Sequence, residues 1–221
     1  MDQGMGRVMA ALKESGVDGQ TLVIFFSDNG GCGSASSAAA RQAFKEGKPP
    51  GGKDSYILCG PGWATAQSSP FRRYKTWTYE GGISTPMIAR WPGRIKPDTI
   101  TTAVGHVVDL MPTFLEVSGA TYPRQFGGKE ILPMEGTSLK SVLLGGGEMR
   151  DRALGWYLYG SRAYRSGNWK VVWGVTAKRW ELYDLEADRT ETHDRAADHP
   201  DIVRKLTAAW RTWARRSEVP P

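Results

Sequence analysis

The chain has 221 residues, 40% of them apolar, 10% aromatic and 24% charged, so it can build a core and is not a disordered segment. Its net charge of +6 is spread evenly over the two halves, which argues against a nucleic-acid surface and supports no more than a weak preference for anionic ligands. The longest unbroken apolar run, Leu22 to Phe26, is far short of the roughly 20 residues of a membrane helix, so no membrane span is expected.

In chain order, Met5, Val8, Met9 and Leu12 fall on one helical face, and Gly16 is placed to end it. The N-terminal stretch MDQGMGRVMAALKESG has no charged n-region, apolar h-region or cleavage site. It reads as the middle of a domain, and the compartment is left open. Thr21 to Phe26 is a continuous apolar run with β-branched and aromatic content, which predicts a strand buried on both faces of a largely parallel sheet. That strand runs into Ser27-Asp28-Asn29-Gly30-Gly31, at the edge where open α/β sheets place ligands. Residues 30–70 lack strong periodicity and read as a long loop, functional or disordered. Cys32 and Cys59 lie in its glycine-rich parts and would pair only in an oxidising compartment.

Thr85 to Trp91 predicts a second buried strand, closed by Pro92-Gly93. Val107 to Val117 suits a helix ending at Gly119, with Pro112 marking a kink or a late start. Beyond about Gly145 the texture changes: six of the nine tryptophans lie in residues 156–213. The runs LGWYLYG, SRAYRSG, NWKVVWG and RWELYDL, separated by turn residues, predict an antiparallel meander. A last helix begins near Pro200, with Ile202, Leu206, Trp210 and Trp213 as its apolar stripe. The expected division is therefore 1–145 and 146–221.

Two segments carry chemistry. Asp28-Asn29 offers a carboxylate and an amide oxygen at a strand end, donors that suit a hard cation such as Ca²⁺ or Mg²⁺. Taken alone, the dipeptide is more simply a strand ending in an Asn-Gly turn, which is common. In Tyr74-Lys75-Thr76-Trp77-Thr78-Tyr79-Glu80-Gly81-Gly82, Lys75 presents a compact charge fit for a tetrahedral oxyanion, and Gly81 and Gly82 permit positive φ before the next strand. Taken alone, this is also a solvated lysine beside a β-turn. His106 is placed for a structural role at a helix start, and His193 and His199 for solvent.

Together these segments resemble the sulfatase family, and most nearly its bacterial arylsulfatase-type members in the alkaline phosphatase superfamily. SDNGG, YKTWTYEGG leading into STPMIARWPG, GHVVDLMPTFLEVSGA, NWKVV and WELYDLEADRTE stand in the family's order over almost the whole chain, and CGPGWATAQSSPFR precedes Lys75 as in those members. The resemblance implies the C-terminal part of an alkaline-phosphatase-like α/β sandwich, followed by a small antiparallel sheet with a terminal helix. It implies that Asp28 and Asn29 are calcium ligands and that Lys75 contacts the substrate sulfate. Glu80 and its glycines shape the loop carrying the lysine. The implied activity is hydrolysis of sulfate esters of small molecules or glycans, with calcium and a formylglycine made from a Cys or Ser in C/S-x-P/A-x-R.

That motif has no counterpart where the family carries it, early in the domain. Ser68-Ser69-Pro70-Phe71-Arg72 fits the pattern literally but follows the Asp-Asn pair and lacks the Thr-Gly-Arg that usually comes next; Cys59-Gly60-Pro61-Gly62-Trp63 has Trp where Arg is needed. The formylglycine is thus expected in a portion N-terminal to these residues, and the fragment alone is expected to be inactive. Ser84, where many sulfatases carry Arg, and Leu158, where relatives often carry His or an acid, bear on specificity more than on reaction class. Without its other half the sheet is expected to expose a face and to associate through it or with that half. A phosphate-ester hydrolase of the same superfamily and a non-catalytic binding module are the alternatives. The first is disfavoured because two-metal members tend to carry His where this chain has Asn29.

Overall fold

A computed structural model describes residues 1–34, 37–49, 51–55, 58–149 and 151–219. In chain order its elements are α1 (Asp2–Glu14), β1 (Val23–Phe26), α2 (Ala38–Lys45), α3 (Gly60–Ser68), α4 (Glu80–Ile83), β2 (Met87–Arg90) and α5 (Leu110–Ser118). There follow β3 (Gln125–Phe126), β4 (Lys129–Glu130), α6 (Lys140–Leu143), β5 (Ala153–Leu158), β6 (Ser161–Ser166), β7 (Trp169–Gly174), β8 (Arg179–Asp184) and α7 (Pro200–Arg216). They form two compact units, one of residues 1–26 and 87–150, the other of residues 27–86 and 151–221. Among the described residues no helix is long and apolar enough to cross a membrane.

In the first unit β1 and β2 pair with each other, antiparallel, Val23 facing Arg90 and Phe26 facing Met87. This corrects the expectation of a parallel, doubly buried strand: Phe25 is 40% exposed and Ile88 65%. An apolar run records that a strand belongs against other apolar surface; it does not encode the direction of its neighbour. Asp18 forms a two-pronged ion pair with Arg90 and ties the turn after α1 to β2 (2.6 and 3.0 Å).

The helix after His106 starts late, as Pro112 suggests. A 3₁₀ turn over Val107–Asp109 precedes α5, and Gly119 ends it in the left-handed conformation at φ 71°. His106 is the cap: its ring accepts the Val108 N–H while Asp109 accepts the His106 N–H, a reciprocal capping box. Fully buried Asp109 also takes the Thr137 N–H at 2.9 Å, and Thr113 takes that of Leu139 at 2.8 Å, which pins the 137–139 segment against α5.

The second unit is built on the four-stranded meander β5-β6-β7-β8, antiparallel throughout as the tryptophan-rich runs predict. Strand periodicity of two sorts its side chains onto two faces. Val171 and Leu182 point to one face, where Leu206, Ile202 and Val203 of α7 cover them with Trp169 and Trp180. The Trp210 indole N–H donates to the Trp156 carbonyl at 3.2 Å. Val172, Ala163 and Tyr183 point the other way and pack with Tyr79, Leu185, Trp77 and Trp156. The helix therefore covers one side of the sheet, and the segment around Tyr79 covers the other.

Residues 30–70 are not simply a loop. Ser37 caps α2 by accepting the Ala40 N–H, and α3 opens with a proline in its first turn. Both are short, at eight and nine residues; α3 carries almost no 3.6-residue apolar signal, and α2 buries only the small side chains of Ala40 and Ala43. Residues 35, 36, 50, 56 and 57 of that stretch lie outside the described residues. Cys32 and Cys59 are free thiols.

Candidate active site

The second unit holds an open cleft of about 800 Å³. Asp28, Asn29, Lys75, Ser84 and Arg189 line it, with Ser68 and Phe71 in its wall. The structure thus brings all three sequence-predicted site residues, Asp28, Asn29 and Lys75, to one cavity.

The strand-end segment is locked to the lysine loop through its backbone. The Gly30 N–H donates to the Gly82 carbonyl at 3.1 Å, the Lys75 N–H to the Gly31 carbonyl at 3.0 Å, and the Gly31 N–H to Ser68 Oγ at 3.1 Å. These chains approach too closely for side chains: a Cβ on Gly30 would stand 1.8 Å from the Gly81 oxygen, and one on Gly82 2.0 Å from the Trp77 oxygen. Gly82 is therefore required for proximity, and neither it nor Gly81 has the positive φ expected of a turn. Both lie in the short helix α4.

Asn29 Oδ1 is buried and, among the described residues, has no hydrogen-bond partner. An orphaned acceptor of this kind costs roughly 1–3 kcal/mol unless something binds it. Asp28, next in the chain, is exposed to the same cleft. A carboxylate beside an unsatisfied amide oxygen fits a hard cation, and the pair would fill two places of the 6–8 oxygen shell that an ion such as Ca²⁺ takes. No group of three or more His, Cys, Asp or Glu side chains suited to a metal gathers among the described residues. Ser68, the first residue of the S-x-P-x-R match, is nearly buried at the end of α3 with its Oγ held by the Gly31 N–H, the posture of a structural hydroxyl.

What holds the lysine loop in place is a buried charge network that sequence reasoning missed. In the strand register Lys170 faces Tyr183 and Val172 faces Glu181, so all four side chains share the face turned toward residues 77–80. Lys170, fully buried, pairs with Glu80 at 2.7 Å and with Glu191 at 2.8 Å, while the Glu80 N–H donates to Glu191 at 2.6 Å. Beside it, the Tyr79 and Tyr183 hydroxyls donate to Glu181 at 2.6 and 2.8 Å. Arg72 bonds the Tyr183 oxygen at 2.6 Å and the Glu191 carbonyl at 3.2 Å, and its guanidinium lies over the Tyr79 ring. Thr78 is fastened through its N–H to Ser161 Oγ at 3.0 Å. The reading of Glu80 as structural agrees with this arrangement.

Electrostatics follow from the geometry. Burial alone would raise the Glu80 pKa, but the Lys170 charge outweighs it and holds the carboxyl below its ordinary 4.5. At Glu191 burial dominates, and with the like charge of Glu80 it leaves the pKa raised despite Lys170. Desolvation works against the Lys170 ammonium, yet two carboxylates raise its pKa above 10.5. Burial, with the Glu181 carboxylate, pushes both phenols up.

The loop after β8 carries Arg189 and Glu191. Asp188 organises it by accepting the N–H groups of Thr192 and His193, both at 2.8 Å, and the Thr190 hydroxyl at 2.7 Å. Those bonds overcome partial burial and bring the Asp188 pKa to about 2. His193 is exposed as expected, whereas the His199 ring packs on Trp169 at 5.0 Å.

Two family models match the chain: "Sulfatase" over residues 1–120, and "N-sulphoglucosamine sulphohydrolase, C-terminal" over residues 72–213. An uncharacterized sulfatase of Schizosaccharomyces pombe is 36% identical across 95% of this chain and 40% of its own length. Among solved structures, Ps i-CgsB in complex with k-i-k-neocarrahexaose superposes with a TM-score of 0.69 at 22% identity, over 96% of this chain and 40% of that one. BT4656 in complex with its substrate D-glucosamine-2-N,6-O-disulfate does so at 0.61 and 21%, over 98% and 38%. These likenesses establish the fold, the C-terminal part of the alkaline-phosphatase-like sulfatase architecture with its antiparallel sheet and terminal helix. The chain spans about 40% of the length of the S. pombe relative. On the strength of the family model that covers more than half of it, and of motifs gathered in one cleft, the chain belongs to the sulfatase family.

Proposed function

We propose that the cleft is the sulfate-holding part of a sulfuric ester hydrolase site, with Asp28 and Asn29 as calcium ligands and Lys75 as the contact to the ester's sulfate oxygens. The observation that carries this reading is the buried, unpartnered Asn29 Oδ1 beside Asp28, in a cavity that also receives the exposed Lys75 ammonium. Bound calcium would neutralise charge on the sulfate oxygens. Oxygen-only donors favour a hard ion over zinc, which prefers His and Cys. The ammonium of Lys75 orients one side of the tetrahedral group and offsets negative charge that grows as the ester bond breaks. The buttress of Glu80, Lys170 and Glu191 keeps its loop from yielding as that charge develops. The formylglycine nucleophile of the family is assigned outside these residues. The substrate class is a sulfated glycan or small molecule, in line with the disulfated glucosamine bound by BT4656.

Calcium binding tests the reading. Titration of the full-length protein is expected to show a site whose affinity falls at least about tenfold in Asp28→Ala and in Asn29→Ala, since even outer-shell losses cost 10–100-fold. Calcium affinity unchanged in both variants contradicts it.

A further inference from the structure

The cleft receives a second cation that nothing above uses. Arg189 lines it together with Lys75, is exposed, and among the described residues forms no ion pair. Its guanidinium is nevertheless held. The guanidinium carbon sits 4.8 Å from the centre of the Phe71 ring, and Nη2 donates to Ser84 Oγ at 3.3 Å. The loop behind it is fixed on both sides, by Asp188 with its backbone N–H bonds and by Glu191, buried against Lys170. Unspent N–H donors on a preoriented planar fork make a receptor for an oxyanion, because little side-chain freedom remains to be lost on binding. Glu80, the acid on which the Arg189 charge acts, is already paired with Lys170.

We propose that Arg189 is a specificity-determining residue that binds a second sulfate group on the substrate, apart from the ester held at Lys75, so that the site prefers multiply sulfated saccharides. The inference rests on the sulfatase reading of the cleft. A charge-assisted two-pronged bond to a sulfate is among the stronger hydrogen-bonded contacts, and its loss is expected to cost about tenfold.

The experiment compares kcat/KM of the full-length protein for glucosamine 6-sulfate and for glucosamine 2-N,6-O-disulfate. The wild type is expected to favour the disulfate, and Arg189→Ala to lower the disulfate-to-monosulfate ratio about tenfold, mainly through KM. Because Arg189 is exposed, the variant is expected to melt with the wild type. A ratio unmoved by Arg189→Ala, with both esters turned over, overturns the role of Arg189 and leaves the sulfatase reading standing. Failure of the wild type to hydrolyse either ester overturns the preference proposed here, and overturns the sulfatase reading as well only when an aryl sulfate is not hydrolysed either.

Discussion

Replacement of Lys170 by methionine is expected to destabilise the second unit by about 3–5 kcal/mol, the cost of leaving buried carboxylates without their counter-charge. Lys170 is fully buried between Glu80 and Glu191, which are themselves buried. The triple change Lys170→Met, Glu80→Gln, Glu191→Gln is expected to cost much less, because it removes the charges together. Denaturant midpoints for the single and triple variants check this; equal losses would show that packing, not charge, dominates. The pH dependence has two parts with opposite signs. Glu191 has a raised pKa, so as pH falls toward 4.5 the folded state takes up its proton first and gains stability. Glu80 has a lowered pKa, so below 4.5 the unfolded chain takes up its proton first and that stability is lost. Glu191→Gln is expected to remove the gain and keep the loss.

Truncation of Lys75 to alanine is expected to lower turnover of a sulfate ester by about 10²–10³, the usual effect of deleting one preorganised donor to developing charge. Lys75 is exposed and stands in a loop whose position is set by other residues, through Arg72, Thr78 and the Gly31 carbonyl. The fold should therefore survive the change, with an unaltered melting curve. Lys75→Arg keeps the charge but not the compact geometry, and is expected to recover only part of the rate. A loss confined to KM would mean that the lysine binds substrate and transition state alike.

The parts of this molecule legible in sequence are those whose signal is local. The meander β5–β8 and α7 announce themselves through alternating apolar residues, turn residues and a stripe that includes Leu206 and Trp210. Asp28, Asn29 and Lys75 were visible as motif residues, and the fold brings them to one cleft. Hidden were features made by distance. Glu80 and Lys170 lie 90 residues apart, and a lysine in the run NWKVV looks like any solvent-facing strand residue until the register turns it inward. Arg189 reads as one more charge in EADRTE; its stacking on Phe71 is known only once the loop is folded. The direction of β2 against β1 was likewise invisible, because an apolar run looks the same beside a parallel or an antiparallel neighbour.

A cleft that handles sulfate esters should discriminate between two matched substrates. The protein encoded by the complete reading frame around these residues should be assayed on an aryl sulfate and on the corresponding aryl phosphate, with calcium present. A higher kcat/KM is expected for the sulfate ester. Preference for the phosphate ester, or hydrolysis of neither, would contradict it.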